Sequence, residues 1–419
     1  MGFQNYKMQK IIHWDILLRN QVAKKEIINK ILNGQAEEEL EPFNTKKGIL
    51  FSDLAIENFI EKEYQYDSVE AAPETHRQLR TFSSGERKKA FLKFCINQNP
   101  DYIILDNPLD HLDQNSRKEL HIQLEELAKN VALIQLVNRM TDLLPFITNK
   151  RQINDNSFVL SPLTTIPIEQ SFSLKPIPKP ITTINYPHSI LIQMNNLKVS
   201  YDERPILNNI NWTIKKGEFW QLIGPNGSGK STILSLITGD NPKGYGQDLH
   251  LFGKKKGSGE SIWDIKKNIG QFSTAMIDLF QKNHTVEQMI LSGFFDSIGL
   301  YIQPSTLQIK LMQEWLDFLN MNHLKKTDFI NLSVGQQRVI MIIRAVLKHP
   351  PLLILDEPTE GLDDENVILV TQLISHLAKE TNIAIISVSH RIEALLAPNS
   401  ILELTPQPMG SEGKIKIQS

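Results

Sequence analysis

The sequence has one cysteine, no long apolar run and almost no net charge. A single cysteine, Cys95, excludes an intrachain disulfide and a cysteine-rich metal site, and we interpret it as a small buried helix residue. No stretch reaches the about 18 apolar residues of a membrane span, and the N-terminus lacks the apolar core of a secretory signal. The formal net charge of -2 gives no overall attraction to nucleic acid or anionic lipid. We therefore expect a cytoplasmic protein, and any association with the inner face of a membrane must go through a partner.

The chain has room for two domains, each with its own core, in its 419 residues. Between them the apolar periodicity is lost and prolines gather at positions 162, 167, 176, 178, 180 and 187. Proline fixes φ and removes a hydrogen-bond donor, so this segment is predicted to be an extended linker. The expected domains are residues 1–150, shortened at the N-terminus, and residues 190–419, joined by a linker over 151–189.

The two domains contain an internal repeat. Residues 82–113 align without a gap with residues 332–363 at an offset of 250, with nine identities. Several identities fall on residue types that nucleotide sites use: Ser83 and Ser333, Gly85 and Gly335, Asp106 and Asp356, Pro108 and Pro358, and Asp113 and Asp363. A duplicated nucleotide-binding domain is the interpretation that this pattern favours.

Short apolar runs alternate with helical patterns in both halves. In the second half the runs are 219–224, 351–356 and 382–389, and in the first they are 102–106 and 131–137. Continuous apolar strands separated by helices are typical of a parallel sheet that is buried on both faces. The sequence therefore predicts an α/β fold with a mostly parallel sheet in each domain.

The second half carries a complete GxxxxGK[ST] loop between an apolar run and a helical pattern. Its glycines allow backbone N–H groups to approach phosphates, while the lysine reaches the β and γ phosphates and the serine hydroxyl ligates Mg²⁺. The segment therefore predicts an ATP site with Mg²⁺ as cofactor. The loop residues are Gly224, Pro225, Asn226, Gly227, Ser228, Gly229, Lys230, Ser231 and Thr232.

Three polar residues follow the next apolar runs. Asp356 ends the run 351–356 and suits the Mg²⁺-holding carboxylate, and Glu357 is placed to orient or deprotonate an attacking water. His390 follows the run 382–389 and is interpreted as a sensor of the γ-phosphate. Because parallel strands end at one edge of a sheet, Lys230, Glu357 and His390 are the predicted catalytic residues.

The first half has lost most of these groups. Alignment on Trp14 and Trp220 retains Asn20 and Lys24, and Asp106 still matches Asp356. Side chains at former glycine positions occupy the space that phosphates need, and an amide cannot accept a proton. The first site is predicted to be catalytically inactive. The replacements are Leu18, Gln21 and Ala23 for the three glycines, Lys25 for Ser231, Asn107 for Glu357 and Asn138 for His390.

LSVGQQ, residues 332–337, precedes LDEPTEGLD by 23 residues and resembles the signature segment of ABC-type ATPases. The resemblance covers nearly the whole chain, and it implies a helical subdomain carrying the signature and a head-to-tail pairing of domains, within one chain or between chains. Each nucleotide is then held between the loop of one domain and the signature of the other. Ser83 and Gly85 are expected to complete the site at Lys230.

The same resemblance implies that Ser333, Gly335 and Gln336 face the first domain's loop. Tyr201 matches the aromatic that stacks on adenine, with an ordinary strand residue as the alternative. The family's glutamine after the next strand is out of register, because Thr274 stands there and Gln271 lies three residues earlier. Residues 286–301 and the two-domain layout resemble the molybdate-associated ModF type of tandem ABC ATPase.

Two other segments have two interpretations each. Residues 253–260 are basic and glycine-rich, which is typical of a solvated hairpin turn or of a contact with phosphate or nucleic acid. Residues 289–301 are apolar and either pack in the core or form a socket for a partner helix.

Three functions compete at this point. The first is an ATPase that powers a membrane transport system as its cytoplasmic subunit, with a membrane-spanning subunit as partner. The second is a tandem ATPase acting on ribosomes or DNA, which the short proline-rich linker disfavours. The third is a nucleotide-gated clamp with negligible turnover, which the intact Glu357 and His390 disfavour.

Overall fold

The apolar strands of the two halves assemble into separate sheets. The computed structural model describes residues 11–19, 22–66, 77–155, 158–164, 176–182, 186–280, 283–390, 393 and 395–418. The chain divides into two units, Met1–Pro167 and Ile168–Ser419. Their boundary lies inside the proline-rich segment 151–189.

The first unit is built on a five-stranded parallel sheet in the order β2-β3-β4-β1-β5. Helices and apolar side chains cover both faces of this sheet, as continuous apolar strands require. The elements are β1 (Trp14–Leu18), α1 (Lys24–Leu32), β2 (Gly48–Phe51), α2 (Asp53–Tyr66), α3 (Ser84–Asn97), β3 (Tyr102–Asp106), α4 (Gln114–Leu127), β4 (Ala132–Val137) and β5 (Asn149–Ile153).

The second unit contains two sheets and a group of helices between β11 and α10. Its elements are β6 (Ile190–Tyr201), β7 (Arg204–Lys215), β8 (Phe219–Ile223), α5 (Lys230–Ile237), β9 (Asp248–Leu251), β10 (Lys254–Lys255), α6 (Ile262–Lys266), β11 (Ile269–Ser273), α7 (Thr274–Leu279), α8 (Val286–Ser292), α9 (Thr306–Phe318), α10 (Val334–Val346), β12 (Leu352–Asp356), α11 (Asp364–Glu380), β13 (Ala384–Val388), β14 (Ser400–Thr405) and β15 (Glu412–Ile417).

The larger sheet of the second unit repeats the strand order of the first unit. It runs β11-β12-β13-β8-β14-β15, and only the β14–β15 pair is antiparallel. A second, antiparallel sheet runs β10-β9-β6-β7 and has no counterpart among the described residues of the first unit. The predicted α/β fold with mostly parallel sheets and a helical subdomain before the signature is confirmed.

The helical subdomain is much smaller in the first unit. Residues 52–82 connect β2 to the signature serine, whereas residues 274–332 make the corresponding connection and carry α7, α8 and α9. In the second unit Ile343 and Leu373 are completely buried in the core that these helices share. The aligned residues of the first unit, Lys93 and Gln123, are exposed. Polar side chains thus replace apolar ones where, among the described residues, fewer helices share the core.

The segment predicted as a linker contacts both units. Its first residues, 151–153, are part of β5, and Gln152 forms a β-bridge with Ser161. Farther along, Ile177 packs against the core of the second unit. Among its described residues, 151–153 are therefore part of the first unit's sheet and Ile177 is part of the second unit's packing.

Candidate functional site

The phosphate loop lies between β8 and α5. Gly229 precedes the helix with a φ of +93°, and Gly227 has a φ of +77°, both in the left-handed region that favours glycine. A Cβ atom at Gly229 would come 2.6 Å from Leu207 Cδ2, so a larger residue would also collide with the antiparallel sheet. The loop therefore keeps its backbone close to the helix N-terminus, where N–H groups and the helix dipole favour anions.

Lys230 is folded back into this loop. Its Nζ donates hydrogen bonds to the carbonyl oxygens of Gly224, at 2.8 Å, and Pro225, at 3.1 Å. The side chain is nearly buried, and Ser231 and Thr232 follow it in the first turn of α5. A lysine held among backbone carbonyls in a loop of this shape is available to exchange those contacts for phosphate oxygens.

The ends of β12 and β13 bring Glu357 and His390 together, as the sequence predicts. His390 Nε2 lies 3.2 Å from Glu357 Oε1, and the His390 backbone N–H donates to Glu357 Oε2 at 3.4 Å. Glu357 has a left-handed φ of +51°, and its own N–H donates to the Val388 carbonyl at 2.9 Å. The backbone after Asp356 thus turns so that the glutamate points along the sheet edge toward the histidine.

Three neighbouring carboxyl groups, those of Asp356, Glu357 and Glu360, repel one another at this edge. Burial raises the pKa of Glu357 to about 8, and Glu360 and Asp356 add to the shift, whereas the His390 N–H and Lys230 oppose it. Burial and Glu360 also raise the pKa of Asp356, again opposed by Lys230. Carboxylate and hydroxyl oxygens are the ligands that Mg²⁺ prefers, and a divalent cation would relieve this repulsion. The residues therefore fit a bound Mg²⁺.

Glu360 also belongs to this group of carboxyl side chains, although no predicted motif includes it. It lies in the segment between Glu357 and the Asp363 cap of α11, where its charge raises the pKa of both neighbouring carboxyls. The signal for it is the third acidic residue in LDEPTE. Its position in that segment, three residues after Glu357, indicates that it belongs to the same electrostatic cluster.

The corresponding groups of the first unit are arranged differently. Lys24 Nζ lies 2.7 Å from Asp106 Oδ1, so the loop lysine pairs with the strand-end aspartate. Asn107 has a left-handed φ of +43°, and its N–H donates to Leu136, as Glu357 does to Val388. Asn138 follows β4 and is half-buried. The backbone of the acidic turn is retained, while its ionisable side chain is not.

Three of the substituted loop positions lie within the described residues of the first unit. Leu18 ends β1 with its side chain buried, and Ala23 immediately precedes α1. Lys25 occupies the position of Ser231 in the first turn of that helix. Asn20 and Gln21 lie outside the described residues.

Both signature serines are helix N-caps. Ser83 accepts a hydrogen bond from the Glu86 N–H at the start of α3, and Ser333 accepts one from the Gln336 N–H at the start of α10. In each case the third residue's side chain accepts from the serine N–H in return, which completes a capping box. The geometry shows a structural role for both serines before any ligand is considered.

The signature glycines are sites of close helix packing. A Cβ atom at Gly335 would come 1.7 Å from Asn366 Oδ1 on α11, and one at Gly85 would come 2.7 Å from Ser116 Oγ on α4. Glycine therefore lets each signature helix approach the helix that follows the acidic turn.

Tyr201 ends β6 with its side chain 43% exposed. Gln271 lies within β11, and Thr274 begins α7 immediately after that strand. Among the described residues no helix is long and apolar enough to cross a membrane.

A parallel sheet with a glycine loop, an acidic turn and a histidine at one edge defines a P-loop ATPase. The ABC transporter domain family matches residues 207–360. The ABC transporter ATP-binding protein ModF of Escherichia coli is 41% identical over 338 residues, 76% of this chain and 68% of that protein. The chain belongs to the ABC family of ATP-binding proteins, and the predicted resemblance to ModF is confirmed. It is an ATPase that uses ATP with Mg²⁺.

Two further comparisons agree with this assignment. An uncharacterised ABC transporter ATP-binding protein of Schizosaccharomyces pombe is 32% identical over 336 residues, 76% of this chain and 67% of that protein. The archaeal ribosome recycling factor aABCE1, in complex with stalk protein aP1, superposes with a TM-score of 0.60 at 16% identity, over 96% of this chain and 85% of that one. This last similarity concerns the fold alone, and it extends over most of the chain.

Proposed function

We propose that the chain binds and hydrolyses ATP at one competent site, built on the phosphate loop of the second unit. The observation that carries this proposal is the contrast between the two acidic turns. The second unit places Glu357 within 3.2 Å of His390, whereas the first unit has Asn107 after its strand and pairs Lys24 with Asp106. A carboxylate and an imidazole can move and hold protons at a reacting water, and an amide cannot.

Each residue of the second site has a proposed task. Lys230 leaves the Gly224 and Pro225 carbonyls and binds the β and γ phosphates. The hydroxyl of Ser231 and the carboxylate of Asp356 would hold Mg²⁺, which supplies neutralisation of the charge that develops on the phosphates. Glu357 accepts a proton from the attacking water, and His390 orients this carboxylate and contacts the γ-phosphate.

The first unit is proposed to act as the lid of this site. By resemblance to the family, Ser83 and Gly85 would meet the γ-phosphate that Lys230 binds, with the backbone N–H groups at the N-terminus of α3 as the donors. Ser333, Gly335 and Gln336 would then face the inactive loop that contains Lys24. The proposed domains are residues 1–150, whose last strand β5 continues to Ile153, and residues 190–419, with residues 151–189 between them.

The physiological role that we propose is the ATP-driven step of a membrane transport system, with this chain on the cytoplasmic face. Support comes from the ModF relative and from an apolar surface beside α9. Met289 is buried in the core, but Ile298, Tyr301, Ile302 and Leu307 are 47%, 72%, 58% and 60% exposed. Exposed apolar side chains this close together in the sequence are typical of a surface that receives another protein.

Glu357→Gln is the experiment that tests the proposed chemistry. The amide keeps the shape of the side chain but cannot accept the water's proton, so we expect steady-state hydrolysis to be lost while ATP binding is retained. Unchanged turnover would remove Glu357 from the mechanism. The same variant, trapped with ATP, tests the partner: recovery of a membrane-spanning subunit supports the transport role, whereas salt-sensitive recovery with ribosomes or DNA contradicts it.

A further inference from the structure

Tyr201 is linked to the phosphate-loop helix by a buried side chain that no motif includes. The Tyr201 hydroxyl oxygen lies 2.7 Å from the Asn241 Nδ2 atom. Asn241 is only 5% exposed, whereas the ring that it contacts is 43% exposed. A partly exposed aromatic side chain at a strand end would otherwise be free to change its rotamer.

The orientation of the Asn241 amide is fixed by its other contacts. Its Oδ1 atom accepts the Lys243 backbone N–H at 3.0 Å, which leaves Nδ2 as the group that faces Tyr201. The same Nδ2 donates to Ser235 Oγ at 3.0 Å. Each polar atom of the amide is therefore used, and the tyrosine hydroxyl accepts a hydrogen bond from a buried, correctly oriented donor.

This connection continues to the phosphate loop itself. Ser235 lies on α5, one turn after the GxxxxGK[ST] segment, and its hydroxyl donates to the Thr232 carbonyl at 2.8 Å. Tyr201, Asn241, Ser235 and Thr232 thus form one chain of hydrogen bonds from the exposed ring to the last residue of the loop. Lys243 adds a cation 5.9 Å from the centre of the Tyr201 ring.

We propose that Asn241 is a positioning residue that holds the Tyr201 ring at a set distance and angle from the phosphate loop. The Tyr201 ring and the phosphate loop are then already in place when a nucleotide binds. Binding therefore avoids the entropy cost of ordering the ring. This inference rests on the proposed site at Lys230 and on the resemblance that matches Tyr201 to the aromatic residue stacking on adenine. It gives Asn241 a role in recognition of the base and none in recognition of the phosphates.

The test compares ATP with inorganic tripolyphosphate, which has no base, by titration calorimetry in the presence of Mg²⁺. Loss of one buried hydrogen bond corresponds to about a 2- to 10-fold change in affinity. We expect Asn241→Ala and Tyr201→Phe each to weaken ATP binding by that factor and to leave tripolyphosphate binding unchanged. The double variant should bind ATP no more weakly than the weaker of the two single variants, because both remove the same interaction.

Two controls separate the possible causes. Asn195→Ala, on the same strand as Tyr201, removes a contact with Asp248 and should not change either affinity. Lys230→Ala should weaken binding of both ligands, and normal binding by that variant would mean that the proposed site itself is wrong. The inference about Asn241 is overturned if Lys230→Ala behaves as expected but Asn241→Ala weakens ATP and tripolyphosphate equally. It is overturned also if the Asn241→Ala and Tyr201→Phe effects on ATP simply add.

Discussion

Lys24 Nζ lies 2.7 Å from Asp106 Oδ1 in the first unit, whereas the aligned Lys230 of the second unit donates to the carbonyls of its own loop. Both members of the Lys24–Asp106 pair are 22% exposed, so the pair is shielded from much of the solvent. A phosphate and a magnesium ion would have to separate this pair before either could bind. Lys24 and Asp106, the two charged groups that the first unit retains, therefore neutralise each other and need no bound ligand to do so.

The pH dependence of hydrolysis should reflect Glu357. Burial and the neighbouring carboxylates raise its pKa to about 8, so the proton-accepting form is the minor one at neutral pH. We expect kcat/KM for ATP to rise by about tenfold per pH unit below pH 8 and to level off above it, since this ratio reports the free enzyme. A profile that is already flat from pH 6.5 upward would contradict this. ATP binding by Glu357→Gln, measured across the same range, serves as the control.

The two N-caps allow stability to be separated from activity. Ser83→Ala and Ser333→Ala each remove one capping box, so each should lower the unfolding free energy by about 1 kcal/mol. Only Ser83→Ala should also slow ATP hydrolysis at saturating substrate, because only Ser83 is proposed to meet the competent site. Parallel denaturant titrations and ATPase assays check both effects. Equal loss of activity in the two variants would rule out the proposed assignment of the first unit as the lid.

Asp15 makes the stability of the first unit depend on pH. The residue is completely buried in β1, and burial raises its pKa to about 8, although Lys150 and the Leu144 N–H oppose the shift. The native state then retains a proton that the unfolded chain releases above about pH 4, so the unfolding free energy falls as pH rises toward 8. The expected slope is at most about 1.4 kcal/mol per pH unit.

The matched variant is Asp15→Gln, which copies Gln221 at the aligned position of β8. Urea denaturation of the wild type and the variant at pH 6, 7 and 8 should show the variant gaining stability relative to the wild type at each step. A constant difference across the three values would mean that Asp15 does not hold a proton in the native state.

The sequence was sufficient to predict which groups meet at the edge of the second sheet. Asp356, Glu357 and His390 each follow an apolar run, and parallel strands bring their carboxyl ends together, so the meeting of Glu357 with His390 follows from order alone. The repeat likewise predicts that Asn107 occupies the position of Glu357. These predictions depend on backbone register, which the strand pattern specifies well.

Contacts between side chains far apart along the chain could not be predicted. The Lys24–Asp106 pair joins residues from α1 and β3, and the Tyr201–Asn241 contact joins the end of β6 to a turn after α5. Neither contact produces a periodic pattern in the sequence, because the two residues of each pair are far apart along the chain. Both depend on how loops close over a sheet edge, which local propensity does not determine.

The basic segment 253–260 contains another side-chain contact that could not be predicted from the sequence, here within a hairpin. Lys254 and Lys255 are exposed on β10, as a solvated hairpin predicts. For Lys256 the solvated interpretation is wrong, because this residue is 4% exposed, lies 4.8 Å from the centre of the Tyr245 ring and forms an ion pair with Glu260 at 3.7 Å. The charge of this buried lysine is compensated by the aromatic ring and the carboxylate around it, and no motif in the sequence indicates that arrangement.

The most direct test of the single competent site is the paired substitution of the two loop lysines. We predict that Lys24→Ala retains kcat within about twofold of the wild type, because its lysine serves an internal ion pair, and that Lys230→Ala loses at least about 100-fold, because its lysine neutralises charge on the transferred phosphate. Thermal melting of both variants shows whether either is unfolded. A loss of kcat in folded Lys24→Ala that approaches the loss in Lys230→Ala would contradict the account.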